Sequence, residues 1–486
     1  MIRKLSHFIL LLCLAIFIEH SVAYGADLID LSQLQSRVKT FTLSNGIRVV
    51  AYRREQAPVF TGQIWVGVGG VNEQKGNTGL AHFLEHMAFK GSEVVGTKDY
   101  QKEKPLLDKL ESLMADPQKN ELEIKALYLE LDKLWVDNEF GSLYKQRGAT
   151  GLNAATSKDS TNYTVSLPKS ELEYWCWLES DRLLNPVFRQ FYKERQVILE
   201  ERRMRYENDP GGQLYEALLG NAYHQHPYGL PLIGWPEDLE SITPEQMRTF
   251  YRRYYRPGNT VISLVGDLDL SNIEPMLEKY FSRIPQGAAE SLANIPAEPQ
   301  QLAERKVEVN YKAQPQVLIG YHKPTYPNID DFHFAVLHAL LAEGRASIFE
   351  KELVQEKKIF TALATSEAPG EKYPSLFLVA GYPRAGVKMS EAINQVQAII
   401  DRLKQEKVKE SDLVAAKRKV KVSIISSLED NEGLAEIMGK GILYFGDWRR
   451  VIEFYNAVES TSAEDIMNLA KRYLNVENRT LVTLAN

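Results

Sequence analysis

Apolar and polar residues along the chain mark out amphipathic helices and β-branched strands, and one such pairing occurs twice. Glu240 to Asp267 reads ESITPEQMRTFYRRYYRPGNTVISLVGD, and Glu459 to Asn486 reads ESTSAEDIMNLAKRYLNVENRTLVTLAN. The two stretches of 28 residues align without a gap and share six identities: Glu240/Glu459, Ser241/Ser460, Glu245/Glu464, Arg253/Arg472, Tyr254/Tyr473 and Asn259/Asn478. Each opens on a helix N-cap pattern, Thr243-Pro-Glu or Ser462-Ala-Glu, whose hydroxyl can accept from the first free backbone N–H groups. Each continues with apolar residues at helical spacing and then turns into a β-branched strand, TVISLV or RTLVTL. This predicts a duplicated chain with two similar α+β halves. The competing reading is chance similarity between two helix–strand units. The break is expected around residues 285 to 302, in RIPQGAAESLANIPAEPQQ, which is rich in Pro, Ala and Gln. The halves would then be residues 27–284 and 303–486.

One segment looks inserted. Residues 101 to 138 are highly charged, with Leu106, Leu110 and Leu113, then Leu127, Leu131 and Leu134, at helical spacing on either side of Asp116-Pro117. This predicts a helical hairpin whose leucine stripe serves packing.

Of the 486 residues, 44% are hydrophobic and 25% charged, as in a soluble globular protein of two or more domains. The net charge of −6 argues against nucleic acid or an anionic membrane as the main partner. At the N-terminus Arg3 and Lys4 precede an eleven-residue apolar run, Phe8 to Ile18, and then small residues in SVAYGA. A membrane span needs about 20 apolar residues, so residues 1–25 read as a cleaved signal peptide, with an uncleaved anchor as the alternative. The mature chain is expected in the periplasm or outside the cell, free of the membrane. It keeps one cysteine, Cys176, among Trp175, Trp177 and Leu178, and one cysteine forms no internal disulfide. A buried structural thiol is the expected reading.

The candidate chemistry begins in AHFLEHMAFKGSE, Ala81 to Glu93. Asn77 or Thr78 can cap a helix there and Gly91 can end it. His82 and His86 are four apart, so both rings leave one face of that helix. That spacing suits a zinc ion bound at about 2.0–2.1 Å per nitrogen. Glu85 lies on the same side, where a carboxylate can take a proton from water. His-x-x-Glu-His is the reverse of the commoner His-Glu-x-x-His zinc motif. Alone, the pattern fits a metal site and two unremarkable histidines equally well.

A second helix is expected in FYKERQVILEERRMRYEN, Phe191 to Asn208, with an apolar stripe set by Val197, Ile198 and Met204. At about 100° per residue Glu194 and Glu201 fall near the centre of that stripe, whereas Glu200 and Glu207 point away. Carboxylates on an apolar face need a partner or a cation. Glu201 is therefore the third candidate zinc ligand and Glu194 a supporting residue of the site. The alternative is a pair of core salt bridges to Arg202 or other arginines.

Together, His82-Phe-Leu-Glu85-His86 and ERQVILEE resemble the pitrilysin/insulinase family of inverted-motif zinc peptidases. LNAATSKDSTNYTVSLP, HPYGLPLIGWPEDLESIT and YYRPGNTVISLVGD are similar to further family segments, over most of residues 38 to 284 and more weakly to the C-terminus. The resemblance implies two homologous α/β-sandwich domains, each a mostly antiparallel sheet packed with helices. It implies one zinc ion held by His82, His86 and Glu201, with Glu85 as general base and Glu194 in support. Asn153 and Ala154 would lie on an edge strand pairing with the backbone of a peptide or unfolded protein enclosed in a chamber. The sequence departs from the family in two ways. The hairpin lengthens the distance between His86 and Glu201. The stretch AEGRASIFEKELVQEKKIFTALATSEA has Arg345, but Phe360 or Thr361 stands where a tyrosine is expected. A related subunit, in a homodimer or heterodimer, would then supply an arginine and a tyrosine.

Two other readings compete with a zinc endopeptidase. One is a non-catalytic scaffold or assembly subunit with a structural zinc site. The other is a zinc carrier, which the lack of His-rich loops disfavours. His224 and His226 are expected at surface or supporting positions, and His322, His333 and His338 as structural residues.

Overall fold

The computed structural model describes residues 31–287 and 294–485, so the expected signal peptide and residues 288–293 of the expected linker lie outside the described residues. Eleven strands form two sheets. The first contains β1 (Val38–Thr42), β2 (Arg48–Arg53), β3 (Val59–Val66), β4 (Thr150–Thr156), β5 (Thr161–Pro168) and β6 (Thr260–Gly266), in the order β1-β2-β6-β3-β5-β4. The second contains β7 (Arg305–Asn310), β8 (Val317–Lys323), β9 (Phe360–Ala368), β10 (Ser375–Pro383) and β11 (Arg479–Ala485), in the order β7-β11-β8-β10-β9. Neighbours run antiparallel except β2 with β6 and β7 with β11. The parallel pair sits at the same place in both sheets, so β2, β6, β3, β5 and β4 correspond to β7, β11, β8, β10 and β9. The expected α+β architecture with mostly antiparallel sheets is present.

The sequence repeat is a structural repeat. The helices Pro244–Tyr254 and Ala463–Tyr473 each begin on a reciprocal cap, Thr243 with Gln246 and Ser462 with Asp465. Each leads through one short 3₁₀ turn into a strand, β6 or β11. The shared asparagine does the same work twice. Asn259 Nδ2 donates to Tyr254 O at 3.0 Å and to Gly67 O at 3.1 Å; Asn478 Nδ2 donates to Tyr473 O at 2.7 Å and to His322 O at 2.8 Å. One side chain thus satisfies a free carbonyl at the helix end and ties it to the sheet.

The halves bury each other. All seven residues of β6 are buried, because both faces of the strand are covered. One cover comes from the far half: the helix Asn431–Phe445 packs Leu434, Ala435, Met438 and Ile442 with Trp65, Val261 and Val265. A Cβ added at Gly439 would lie 2.4 Å from Trp65 Nε1, so only glycine fits there. Reciprocally, the helix Pro210–Ala222 sets Leu214, Leu218 and Leu219 on Leu318, Leu376, Leu378 and Val482 of the second sheet. Both helices start on an aspartate cap, Asp209 to Gly212 N and Asp430 to Gly433 N, each at 2.6 Å.

The insertion is a helical hairpin of Tyr100–Leu113 and Glu121–Leu134. Leu110, Leu127 and Leu131 pack with Ile124 and Trp135, against partly buried Leu106, Leu113 and Tyr192. Its base is fixed by a buried ion pair, Arg189 Nε to Glu103 Oε1 at 2.7 Å, to which Trp135 Nε1 also donates at 2.8 Å. Cys176 is fully buried and its thiol is pushed above the usual range by burial.

Candidate metal centre

The histidines lie on the helix Leu80–Met87, which buries Leu80, Phe83, Leu84 and Met87 in the first half's core. Its start differs from the sequence expectation. Neither Asn77 nor Thr78 caps it; Thr78 Oγ1 donates to Asp238 at 2.6 Å. The cap is Gly79, with φ of 89°, a conformation glycine adopts freely, and Ile233 O would lie 2.4 Å from any Cβ there. The free N–H groups go instead to Glu73, whose carboxylate accepts from Gly79 N at 2.8 Å and Ala81 N at 2.7 Å. Burial pushes the Glu73 carboxyl up to about 8, against the pull of these two backbone hydrogen bonds. Gly91, with φ of 91°, turns the chain beyond the helix end.

Glu194 and Glu201 lie on the helix Phe191–Arg202. The stripe predicted for it is wrong in two places: Val197 and Met204 are exposed, while Phe191, Ile198, Leu199 and Arg202 are buried. The outward placement of Glu200 and Glu207 holds. Glu194 and Glu201 are half-buried because they face the histidine helix, not the apolar core.

Three donor atoms converge. Glu201 Oε2 lies 3.8 Å from His82 Nε2 and 3.5 Å from His86 Nε2. Ligand atoms of His82, His86 and Glu201 all fall within 4.8 Å of one another, the single grouping of this kind among the described residues. These spacings are long for hydrogen bonds. The two Glu201 spacings, 3.5 and 3.8 Å, lie near the tetrahedral edge of about 3.4 Å that bonds of about 2.0–2.1 Å around zinc would produce. Two imidazoles and a carboxylate are also a donor set that zinc accepts. The residues present therefore fit the ion.

Electrostatics favour the same use. Burial pushes His82 down to about 3, with His86 and Arg205 adding to the effect, so its ring stays neutral and ligand-ready at ordinary pH. His82 Nδ1 is buried without a hydrogen-bond partner. His86 Nδ1 has one, Glu194 Oε1 at 2.8 Å. Burial pushes His86 down, but the Glu194 hydrogen bond and the Glu85, Glu194 and Glu201 charges outweigh it, and the net direction is up. Burial likewise raises Glu194, but His86 and Lys90 outweigh it and hold the carboxylate low.

Glu85 follows a different logic. Burial lifts it above the ordinary carboxylate range, against a hydrogen bond from Thr156 Oγ1 to Glu85 Oε2 at 2.6 Å. Thr156 ends β4, the open edge of the first sheet. Asn153 and Ala154 sit on that edge, in register with Thr164 and Tyr163 of β5. Asn153, Ala154, Glu85, His86 and Glu194 line a cleft of about 480 Å³, together with Trp135 to Phe140, which follow the hairpin.

Other expected positions lie elsewhere. Phe360 is fully buried in the second half's core, and Thr361 Oγ1 donates to Tyr382 O. Arg345 is exposed on a loop where its carbonyl accepts from Gln355. His226 is buried beside Tyr223, Tyr228 and Tyr373, not at the surface. A tyrosine of the second half does reach the β4–β5 turn: Tyr444 Oη lies 2.6 Å from Ser160 Oγ. Sequence reasoning missed Glu73, Lys90, Thr156 and Arg205. Two had a signal, since Lys90 and Arg205 each follow a candidate metal ligand, His86 and Glu201, by four positions.

The chain is similar to known proteins over most of its length. Residues 48–111 and 133–235 match the family model described as insulinase (peptidase family M16), and residues 241–420 match that of the peptidase M16 inactive domain. The gap in the first match falls within the hairpin. The zinc protease PqqE of Helicobacter pylori is 26% identical over 485 residues, covering 95% of this chain and 96% of that protein. A protease from Helicobacter pylori of known structure superposes with a TM-score of 0.80 at 24% identity, over 92% of this chain and 99% of the other. The first half of the periplasmic protease PqqL from Escherichia coli superposes at 0.71 and 18% identity, over 93% and 92%.

Proposed function

Because the chain belongs to the insulinase (M16) peptidase family, we propose that it is a zinc-dependent endopeptidase acting on peptides or unfolded polypeptides. The carrying observation is Glu201 Oε2 at 3.5 and 3.8 Å from two histidine nitrogens, with His86 and Glu85 lining a cleft that Asn153 and Ala154 of the edge strand β4 also line. His82, His86 and Glu201 would hold the ion, and Glu194 would keep His86 in one orientation. Zinc, when bound, would supply the Lewis acidity that polarises a scissile carbonyl. Glu85 accepts a proton from the attacking water and returns it to the departing amine. Asn153 and Ala154 bind an extended substrate through its backbone, which makes the grip insensitive to side-chain identity. Three protein ligands are the number found at catalytic zinc; a structural site has four.

The proposal extends to organisation. The signal peptide would occupy residues 1–25, the peptidase domain 27–284, the linker 285–302 and the second domain 303–486. The mature protein would work in the periplasm or outside the cell, in keeping with its similarity to a periplasmic protease. Either Phe360, buried in the core, or Thr361 stands where a tyrosine was expected, which supports a second, related subunit supplying an arginine and a tyrosine. The same observation favours the second reading, a non-catalytic assembly subunit retaining zinc. A chelation assay tests the function: cleavage of an unstructured peptide should stop with 1,10-phenanthroline and return with added zinc. Cleavage indifferent to the chelator would refute the assignment.

A further inference from the structure

Both carboxylates on the Phe191–Arg202 helix are held on two sides. Glu194 Oε1 meets His86 at 2.8 Å while its Oε2 meets Lys90 Nζ at 2.5 Å. Glu201 Oε2 faces the histidines, while its Oε1 is held by Arg205 at 2.8 Å. Arg205 belongs to a different kind of turn. The α-helix ends at Arg202 and a π-helical turn, Arg203–Glu207, follows, with Asn208 N donating to Arg203 O at 2.8 Å.

This turn has a geometric consequence. Four residues along an α-helix overshoot a full rotation by about 40°. A π turn closes over five residues instead of four, so each of its residues turns through a smaller angle and the overshoot is reduced. The turn is braced from outside, since Gly212 approaches so closely that a Cβ there would lie 2.0 Å from Arg205 O. The neighbouring pair, Arg203 with Glu200 at 2.5 Å, is exposed and includes no residue of the candidate metal grouping.

We propose that Arg205 is a positioning residue that fixes how Glu201 presents itself to a metal. With Oε1 held by the guanidinium, Glu201 offers one oxygen, Oε2, and is kept from binding through both. A two-oxygen grip would use up coordination space that water and substrate need. The inference rests on the zinc reading above and concerns a residue that reading does not require.

The test uses the mature protein and its Arg205→Ala, Arg205→Lys and Arg203→Ala variants. Zinc affinity is measured by competition with a chromophoric chelator, and the visible spectrum is recorded with Co²⁺ in place of zinc. Arg205→Ala should bind zinc about tenfold more weakly or worse, the usual scale for losing a partner of a metal ligand. Its Co²⁺ bands should weaken, as a rise in coordination number requires. Arg205→Lys should recover part of both changes, and Arg203→Ala should change neither. If Arg205→Ala matches the wild type within twofold and shares its Co²⁺ spectrum, the positioning role is overturned while the zinc site stands. If the wild type itself binds no zinc, the zinc reading fails first and takes this inference with it.

Discussion

Glu194 Oε1 lies 2.8 Å from His86 Nδ1, and the same carboxylate takes Lys90 on its other oxygen at 2.5 Å. The chain Lys90–Glu194–His86 fixes which nitrogen of His86 is turned toward Glu201. Glu194→Gln keeps the shape and removes the charge. Zinc should then bind about tenfold more weakly. Competitive zinc titration measures this, and unchanged affinity would remove Glu194 from the site.

Thr156 sets the working range of Glu85. Burial raises this carboxyl, and the Thr156 hydrogen bond, which favours the ionised form, pulls it back down. A general base acts only when ionised. Removing the bond in Thr156→Val should therefore raise the Glu85 pKa and move the acidic limb of the kcat/KM profile to higher pH. A limb that stays in place or moves down would show that Glu85 is not the titrating base.

The hairpin base should be sensitive to loss of one charge. Arg189 and Glu103 are almost wholly buried, and Arg189 also donates to Ser92 O at 2.6 Å and Val95 O at 3.0 Å. Glu103→Ala leaves a buried guanidinium without its counter-charge, which typically costs about 3–5 kcal/mol. Denaturant unfolding should show a loss of that order. A loss under about 1 kcal/mol, the scale of an exposed pair, would mean that water reaches the pair.

Contact between the halves has its own probe. Gly439 touches the Trp65 ring, so Gly439→Ala forces the crossing helix away from the first sheet. Overpacking of this kind costs about 1–3 kcal/mol. A thermal scan that shows full stability would place the helix elsewhere.

Legibility followed the range of the interactions. The repeated helix–strand unit was readable because its signals are local: Thr243 and Ser462 as caps, Asn259 and Asn478 at the helix ends. The candidate histidine pair was readable because His82 and His86 share one helix face by spacing alone. What escaped were contacts between distant segments. Glu73 reaches the histidine helix from outside it, and no periodicity marks it. Val197 and Met204 were placed in the core because an apolar residue on a helix does not say which neighbour covers it. The exchange of the Pro210–Ala222 and Asn431–Phe445 helices was invisible for the same reason, as each half supplies what the other's sheet lacks.

The most direct measurement is cleavage of a pool of unstructured peptides by the zinc-loaded mature protein and by Glu85→Gln, at equal zinc content, read by mass spectrometry. The account predicts new peptide ends from the wild type and none from the variant. Equal cleavage by both would contradict Glu85 as the base. Silence from both, also after addition of a related subunit carrying the arginine and tyrosine, would contradict the peptidase assignment and leave the assembly role.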